Sequence, residues 1–182
     1  MVTRSARFAD SLLAKARDVR VLLTDIDGVW TDGGLWFDAH GEQLKRFHTL
    51  DGHGVVLLAA AGIEVVVISG RDSPPLRHRL KALQVTRAQL GVSDKRQAGE
   101  QALADLGLTW SDAAAMGDDW PDLAMMRPAG LAIAPPQAHV EVLACAHHVC
   151  QAAAGAGAFR EACDLILTAI GAYDRLLKEA AP

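Results

Sequence analysis

From Val19 onward the chain alternates between two kinds of apolar pattern. Short apolar runs bounded by charged residues or glycine recur at Val19–Asp25, Ile63–Ser69, Val85–Gln89, Ala113–Gly117, Gly130–Ala134 and His147–Gln151. Runs of this length, apolar on both faces, predict buried strands. Between several of them the apolar residues recur at helical spacing instead. Ser73-Pro74 offers an N-cap followed by proline at the first helical position, which predicts a helix over Pro74–Leu83. Asp94 with Gln97 has the form of a capping box before Lys95–Leu106, and Gly107 can stop that helix. Ala162, Leu165, Ile166, Ala169, Ile170, Tyr173, Leu176 and Leu177 share the core-facing spacing of a final helix. Phe8, Leu12, Leu13 and Ala16 fit one face of a short first one. Strands alternating with helices predict an α/β fold built on a doubly wound parallel sheet.

One segment breaks this alternation. Gly33–Phe37 and Glu42–His48 flank Asp38-Ala39-His40-Gly41, which reads as a β-hairpin with a four-residue turn. Leu35, Trp36 and Phe37 are consecutive, so the first arm has no wet face. An apolar edge of this kind invites association unless something covers it, and partner subunits are the expected cover.

Composition narrows the classes. A chain of 182 residues suits one domain, read here as 1–182, with no internal repeat, low-complexity segment or linker. The net charge of −4 argues against non-specific nucleic-acid binding, and an anionic substrate would have to be held by local cations and a metal. No stretch approaches membrane-spanning length, and Met1–Arg20 lacks the apolar run of a signal peptide, so a cytoplasmic location is expected. Cys145, Cys150 and Cys163 are odd in number and lack metal-site spacing, which predicts reduced, buried thiols; His147 and His148 beside them supply no paired zinc motif.

The chemistry lies at the ends of the apolar runs. Asp25-Ile26-Asp27-Gly28 closes the first. Residues i and i+2 of a strand point the same way, so both carboxylates are expected to face one site at the strand's C-terminal edge, where open α/β sheets bind ligands. Such a pair attracts a hard cation, Mg²⁺ foremost. Ile63–Ile68 ends in Ser69-Gly70-Arg71, Lys95 opens a major helix, and Ala113–Met116 ends in Gly117-Asp118-Asp119, with Asp122 beyond. Singly, these have bland readings as a turn serine, a solvated lysine and helix-capping aspartates. Together they are what phosphoryl transfer needs. One carboxylate attacks phosphorus, a second protonates the leaving alkoxide, a further one holds Mg²⁺, and a hydroxyl and an ammonium neutralise the phosphoryl oxygens.

In these motifs the sequence resembles the haloacid dehalogenase superfamily of phosphatases over most of its length, from Val19 to about Lys178. The resemblance implies a Rossmann-like fold, with Asp25 as the nucleophile and Asp27 as the general acid/base. It gives Ser69 and Lys95 the phosphoryl group, and Mg²⁺ to the Asp25 carboxylate, the Asp27 carbonyl and Asp118. Asp119 and Asp122 would support the loop from behind. Members of the superfamily usually carry a cap domain after the first or second motif. Only the hairpin separates Asp27 from Asp51 here, and about one helix and one strand separate Ser69 from Lys95, so no cap is expected.

Within that superfamily Asp25–Gly33, Asp51-Gly52-His53-Gly54, Ile68–Arg71 and Gly155–Glu161 are similar to the family of 3-deoxy-D-manno-octulosonate 8-phosphate phosphatases. What this implies is a capless homotetramer, its hairpins assembled into a shared barrel, that dephosphorylates an eight-carbon sugar acid on the route to lipopolysaccharide. The substrate site would then include Asp27, His48, Thr49, Leu50, Asp51, Gly52, Arg71, Arg79 and Lys95. The chain departs from the family pattern at Leu50, where a basic residue is common, at Trp30 and at Ala156. Arg71 and Arg79 are spaced to lie about two helical turns apart on a similar face. A nine-carbon ulosonate 9-phosphate phosphatase is a close alternative. A two-component receiver uses similar residues, but its acceptor aspartate ends a middle strand. A non-catalytic oligomerisation domain would not need every catalytic residue, and all are kept.

Overall fold

A computed structural model describes residues 8–180; the ends of the single domain read over 1–182 lie outside them. Among the described residues six strands form one parallel sheet: β1 (Val21–Thr24), β4 (Glu64–Ser69), β5 (Ala88–Leu90), β6 (Ala113–Met116), β7 (Leu131–Ala134) and β8 (His148–Val149). Two more, β2 (Trp36–Asp38) and β3 (Gly41–Leu44), form a separate antiparallel hairpin. The sheet order is β5-β4-β1-β6-β7-β8. Strand order therefore reverses between β1 and β6, which opens a crevice at their C-terminal ends, where doubly wound folds bind ligands.

Alternation along β1 builds a core on each side of the sheet. Leu22 packs on one side with Val55, Leu58, Phe159 and Ile166. These come from α2 (Thr49–Ala60) and α7 (Ala158–Ala169), with α1 (Asp10–Ala16) contributing Ala16. Val21 and Leu23 face the other way, onto Ala98, Leu103, Met125 and Val142. Those belong to α4 (Lys95–Leu106), α5 (Leu123–Met126) and α6 (Val140–Cys145). No cap domain interrupts the described chain: the hairpin alone lies between Asp27 and α2, and α3 (Pro74–Ala82) with β5 lies between Ser69 and Lys95.

Several boundaries differ from the sequence reading for local reasons. The hairpin turn is tighter, since Asp38 pairs with Gly41 at φ +108°, leaving Ala39 and His40 as the turn, and the second arm ends at Leu44. The predicted strand at Val85 starts late because Val85 N–H donates to Leu80 O, closing the end of α3. Beyond β8, the Gln151 N–H leaves the ladder for the Glu161 carboxylate. The last helix is two: Gly171, at φ +72°, ends α7, and α8 (Tyr173–Ala180) starts afresh. The α2 helix has no sequence signal of its own, because Val55 to Ala60 are apolar without a polar face and Gly52 and Gly54 weaken its first turns. Among the described residues no helix is long and apolar enough to cross a membrane.

Candidate active site

The Asp-x-Asp-Gly segment is a loop rather than a strand end. β1 stops at Thr24, Asp25 N–H extends the ladder by donating to Met116 O at 3.0 Å, and the chain then turns so that Ile26 O accepts from Val29, Trp30 and Thr31. The turn, not strand alternation, brings Asp25 and Asp27 to one cleft. Gly28 makes it possible: its φ is +83°, and a Cβ there would lie 2.1 Å from Asp118 Oδ2. Thr31 Oγ1 closes the loop by accepting from Gly28 and Gly33 N–H at 3.3 and 3.2 Å. Trp30, a departure from the family pattern, is buried with its ring 4.5 Å from that of Phe159, and its Nε1–H donates to Thr24 Oγ1. Ala156 is exposed.

Asp25, Asp118 and Asp122 bring carboxylate oxygens within 4.8 Å of one another. Lys95 Nζ lies 2.8 Å from Asp25 Oδ1 and 2.6 Å from Asp122 Oδ1. Asp122 is fully engaged, because its Oδ2 also accepts from Asp118 and Asp119 N–H. It holds the loop after β6 against Lys95, while Asp119 caps Trp120 N–H. One ammonium does not balance this much negative charge. Burial and then the Asp122 carboxylate push Asp25 up to about 6, with Lys95 opposing. Burial, Asp122 and Asp25 push Asp118 up to about 7. Burial acts to lower Lys95, but Asp25 and Asp122 outweigh it and hold its pKa above the ordinary value.

Ser69, at the end of β4, is buried and its Oγ accepts from Arg71 N–H at 3.2 Å. With Asp25, Asp27, Arg71, Lys95 and Asp118 it lines an open cleft of about 380 Å³ at the strand ends. Two further residues belong to this neighbourhood and were not read from the sequence. Lys45 pairs with Asp27 and with Glu42, and Glu42 accepts from Arg71 Nη2 at 3.1 Å. A charged pair after a hairpin turn reads as solvated, and only the folded-back hairpin buries it.

The rest of the expected substrate set lies elsewhere in the chain. His48 is not at a strand end but is the N-cap of α2, its Nδ1 accepting from Leu50 N–H. Thr49 and Leu50 are exposed. Asp51 is buried and accepts from Arg160 N–H at 2.8 Å, so it ties α2 to the start of α7; burial holds its pKa above the ordinary value. Arg71 precedes α3 and does not share a helical face with Arg79. Arg79 instead packs on Gly52, lies 5.6 Å over the Phe47 ring and donates Nη2–H to His48 O at 3.3 Å.

The thiols differ from one another: Cys150 and Cys163 are buried and Cys145 is half-buried. His148, Cys150 and Glu161 converge, but the Glu161 carboxylate is taken by His148 Nε2 and by Gln151 and Ala152 N–H. His147 is turned to Ala132 N–H.

Comparison with known proteins supplies the family. Residues 91–160 match the haloacid dehalogenase-like hydrolase family model. The chain is 39 % identical over 161 residues, 88 % of its length and 86 % of the relative's, to 3-deoxy-D-manno-octulosonate 8-phosphate phosphatase of Yersinia pestis. It is 41 % identical to the Haemophilus influenzae enzyme of that name, covering 86 % of this chain and 87 % of the relative. A solved structure of the Moraxella catarrhalis enzyme, in complex with magnesium ion, phosphate ion and KDO, superimposes with a TM-score of 0.91 at 31 % identity, covering 94 % of this chain and 99 % of that one. With its capless sheet and its acidic loops at the β1–β6 crevice, the chain belongs to the haloacid dehalogenase-like hydrolases, in the family of the 3-deoxy-D-manno-octulosonate 8-phosphate phosphatases.

Proposed function

We propose that this chain hydrolyses 3-deoxy-D-manno-octulosonate 8-phosphate to the free sugar acid and inorganic phosphate, a step toward lipopolysaccharide, in the cytoplasm. The observation that carries the reading is Asp25, ion-paired with Lys95 at 2.8 Å in the same cleft as Asp27, Ser69 and Asp118. An Asp25 oxygen attacks phosphorus and the P–O8 ester bond breaks, leaving an aspartyl-phosphate. Asp27 gives its proton to the departing alkoxide, then takes one from the water that attacks phosphorus, which frees phosphate and restores Asp25. Ser69 Oγ–H and Lys95 bind the phosphoryl oxygens throughout.

The donor set fits Mg²⁺. Asp25 and Asp118 are raised to about 6 and about 7 by burial and by neighbouring carboxylates, a charge excess that a divalent cation relieves. Asp122 has its oxygens committed to Lys95 and to backbone N–H groups, and the family resemblance gives the ion to the Asp25 carboxylate, the Asp27 carbonyl and Asp118. When bound, it supplies charge neutralisation at the phosphoryl oxygens.

At the sugar end, Arg71 lines the cleft, and Arg79 has a buried Nε–H with no hydrogen-bond partner among the described residues. An unsatisfied guanidinium N–H suits a carboxylate. Without a cap, the site is closed by a homotetramer, a reading supported by Leu35, Trp36, Phe37 and Leu44 standing exposed on the hairpin.

Phosphate release with Mg²⁺ from octulosonate 8-phosphate, a nine-carbon ulosonate 9-phosphate and p-nitrophenyl phosphate tests the assignment. The octulosonate should give the highest kcat/KM, and Arg79→Ala should cost about 2–4 kcal/mol on it while barely affecting the aryl phosphate. A preference for the nine-carbon substrate would move the specificity, and no release from any would overturn the reaction.

A further inference from the structure

The hairpin reaches the chemistry of its own chain. The Lys45 side chain is only 1 % exposed, and its Nζ sits between Asp27 Oδ1 and Glu42 Oε1, the latter at 2.7 Å. Glu42 is anchored in turn by Arg71 Nη2, and the Arg71 guanidinium lies 5.7 Å over the Phe37 ring. The other carboxylate oxygen, Asp27 Oδ2, is buried with no hydrogen-bond partner among the described residues, and Arg71 Nε stands off at 3.7 Å. One oxygen of Asp27 is thus tied to an immobilised ammonium and the other is left without a donor.

We infer that Lys45, steadied by Glu42, is a positioning residue that fixes the Asp27 carboxylate and leaves Oδ2 as the oxygen that hands over and takes back the proton. The inference rests on Asp27 being the general acid/base proposed above. A lysine ammonium is ordinarily a mobile surface charge, because its four-carbon stem has much rotamer freedom. Here that freedom is removed by two carboxylates and by burial. The gain is geometric, since a displacement of about 1 Å at a reacting group can cost about 10²-fold in rate. The same contact links the hairpin, whose outer face is apolar, to the reacting carboxylate: Phe37, Glu42 and Lys45 all lie on it or directly after it.

The test uses leaving groups of different basicity, because a poor alkoxide needs the proton and a nitrophenolate does not. Lys45→Met should lower kcat/KM for a primary alkyl phosphate by about 10²-fold, at the low end of the ~10²–10⁴ that general acids supply, and for p-nitrophenyl phosphate by no more than about fivefold. Nitrophenolate should then appear in a burst, since the second step still needs Asp27 as a base. Lys45→Arg should restore most of the alkyl rate, and in an Asp27→Asn background Lys45→Met should cost nothing further. Equal losses on both substrates, or an additive loss in that background, would overturn the inference. If Lys45→Met does not fold, Glu42→Gln loosens the same ammonium and takes its place: a loss confined to the alkyl phosphate supports the inference, and an equal loss on both substrates overturns it. A wild-type chain active on both substrates with an unselective Lys45 loss sinks this inference alone. A wild-type chain inactive on both sinks the phosphatase reading and this inference with it.

Discussion

Asp25 and Asp118 carry the cost of the site. Both are raised, to about 6 and about 7, chiefly by burial and then by neighbouring carboxylates. The sign of the pH dependence follows. Below about pH 3 these groups are mostly protonated in folded and unfolded chains alike and cost little. As pH rises through the next units the unfolded chain ionises first, so metal-free stability falls until the folded pKa values are passed. A single group shifted by two units is worth about 3 kcal/mol. Mg²⁺ binding should return that stability, so thermal melts with and without the ion should differ most near about pH 8 and converge near about pH 3. A Mg²⁺ effect independent of pH would place the ion away from these carboxylates. At this scale the sequence was legible where a special residue ends an apolar run. Asp25, Asp27, Ser69 and Asp118 stand just after such runs, Lys95 opens a capped helix, and all five line one cleft. Lys45 and Glu42 carry no such mark, because their partners lie in the Asp27 loop and at Arg71, contacts that only the fold creates.

Elements that the pattern describes well are those whose burial follows one clear rule, a single wet face in α4 and two buried faces in β4. α4 and β4 fall where periodicity and caps put them, whereas α2 is apolar around its axis and went unread. That omission matters, because His48–Gly52, which the resemblance gives as substrate contacts, form the cap and first turn of this helix. Asp51 there joins two helices through Arg160 N–H. Asp51→Ala should leave that N–H unsatisfied and cost about 1–3 kcal/mol in stability, with Asp51→Asn, which keeps an acceptor, costing less. Chemical denaturation measures this directly. An unchanged midpoint together with a raised KM would make Asp51 a substrate contact instead of a tie between helices.

Among the described residues of the molecule, the reaction centre has no lid and the apolar residues of the hairpin have no cover. Trp36, Phe37 and Leu44 are each more than half exposed, at 63 %, 61 % and 65 %. Solvent exposure of this much apolar surface on one small hairpin is costly unless copies pack together. Trp36→Glu should disperse the proposed homotetramer in light scattering, and because Phe37, Glu42 and Lys45 belong to the same hairpin region, kcat should fall along with it. A monomeric wild type with full activity at assay concentration would contradict this. The absence of a cap was legible in the spacing of the motifs. Closure of the site by other copies rests on exposure alone, and solution mass decides it.

The proposed reaction stands on phosphorylation of Asp25 during turnover. Asp27→Asn slows the hydrolysis of that intermediate and should let it accumulate with p-nitrophenyl phosphate as the donor. Acid quenching, borohydride reduction of the acyl-phosphate and mass spectrometry of the peptide would then find homoserine at position 25. An unmodified Asp25 in a preparation that has released its nitrophenolate in a burst would contradict the account.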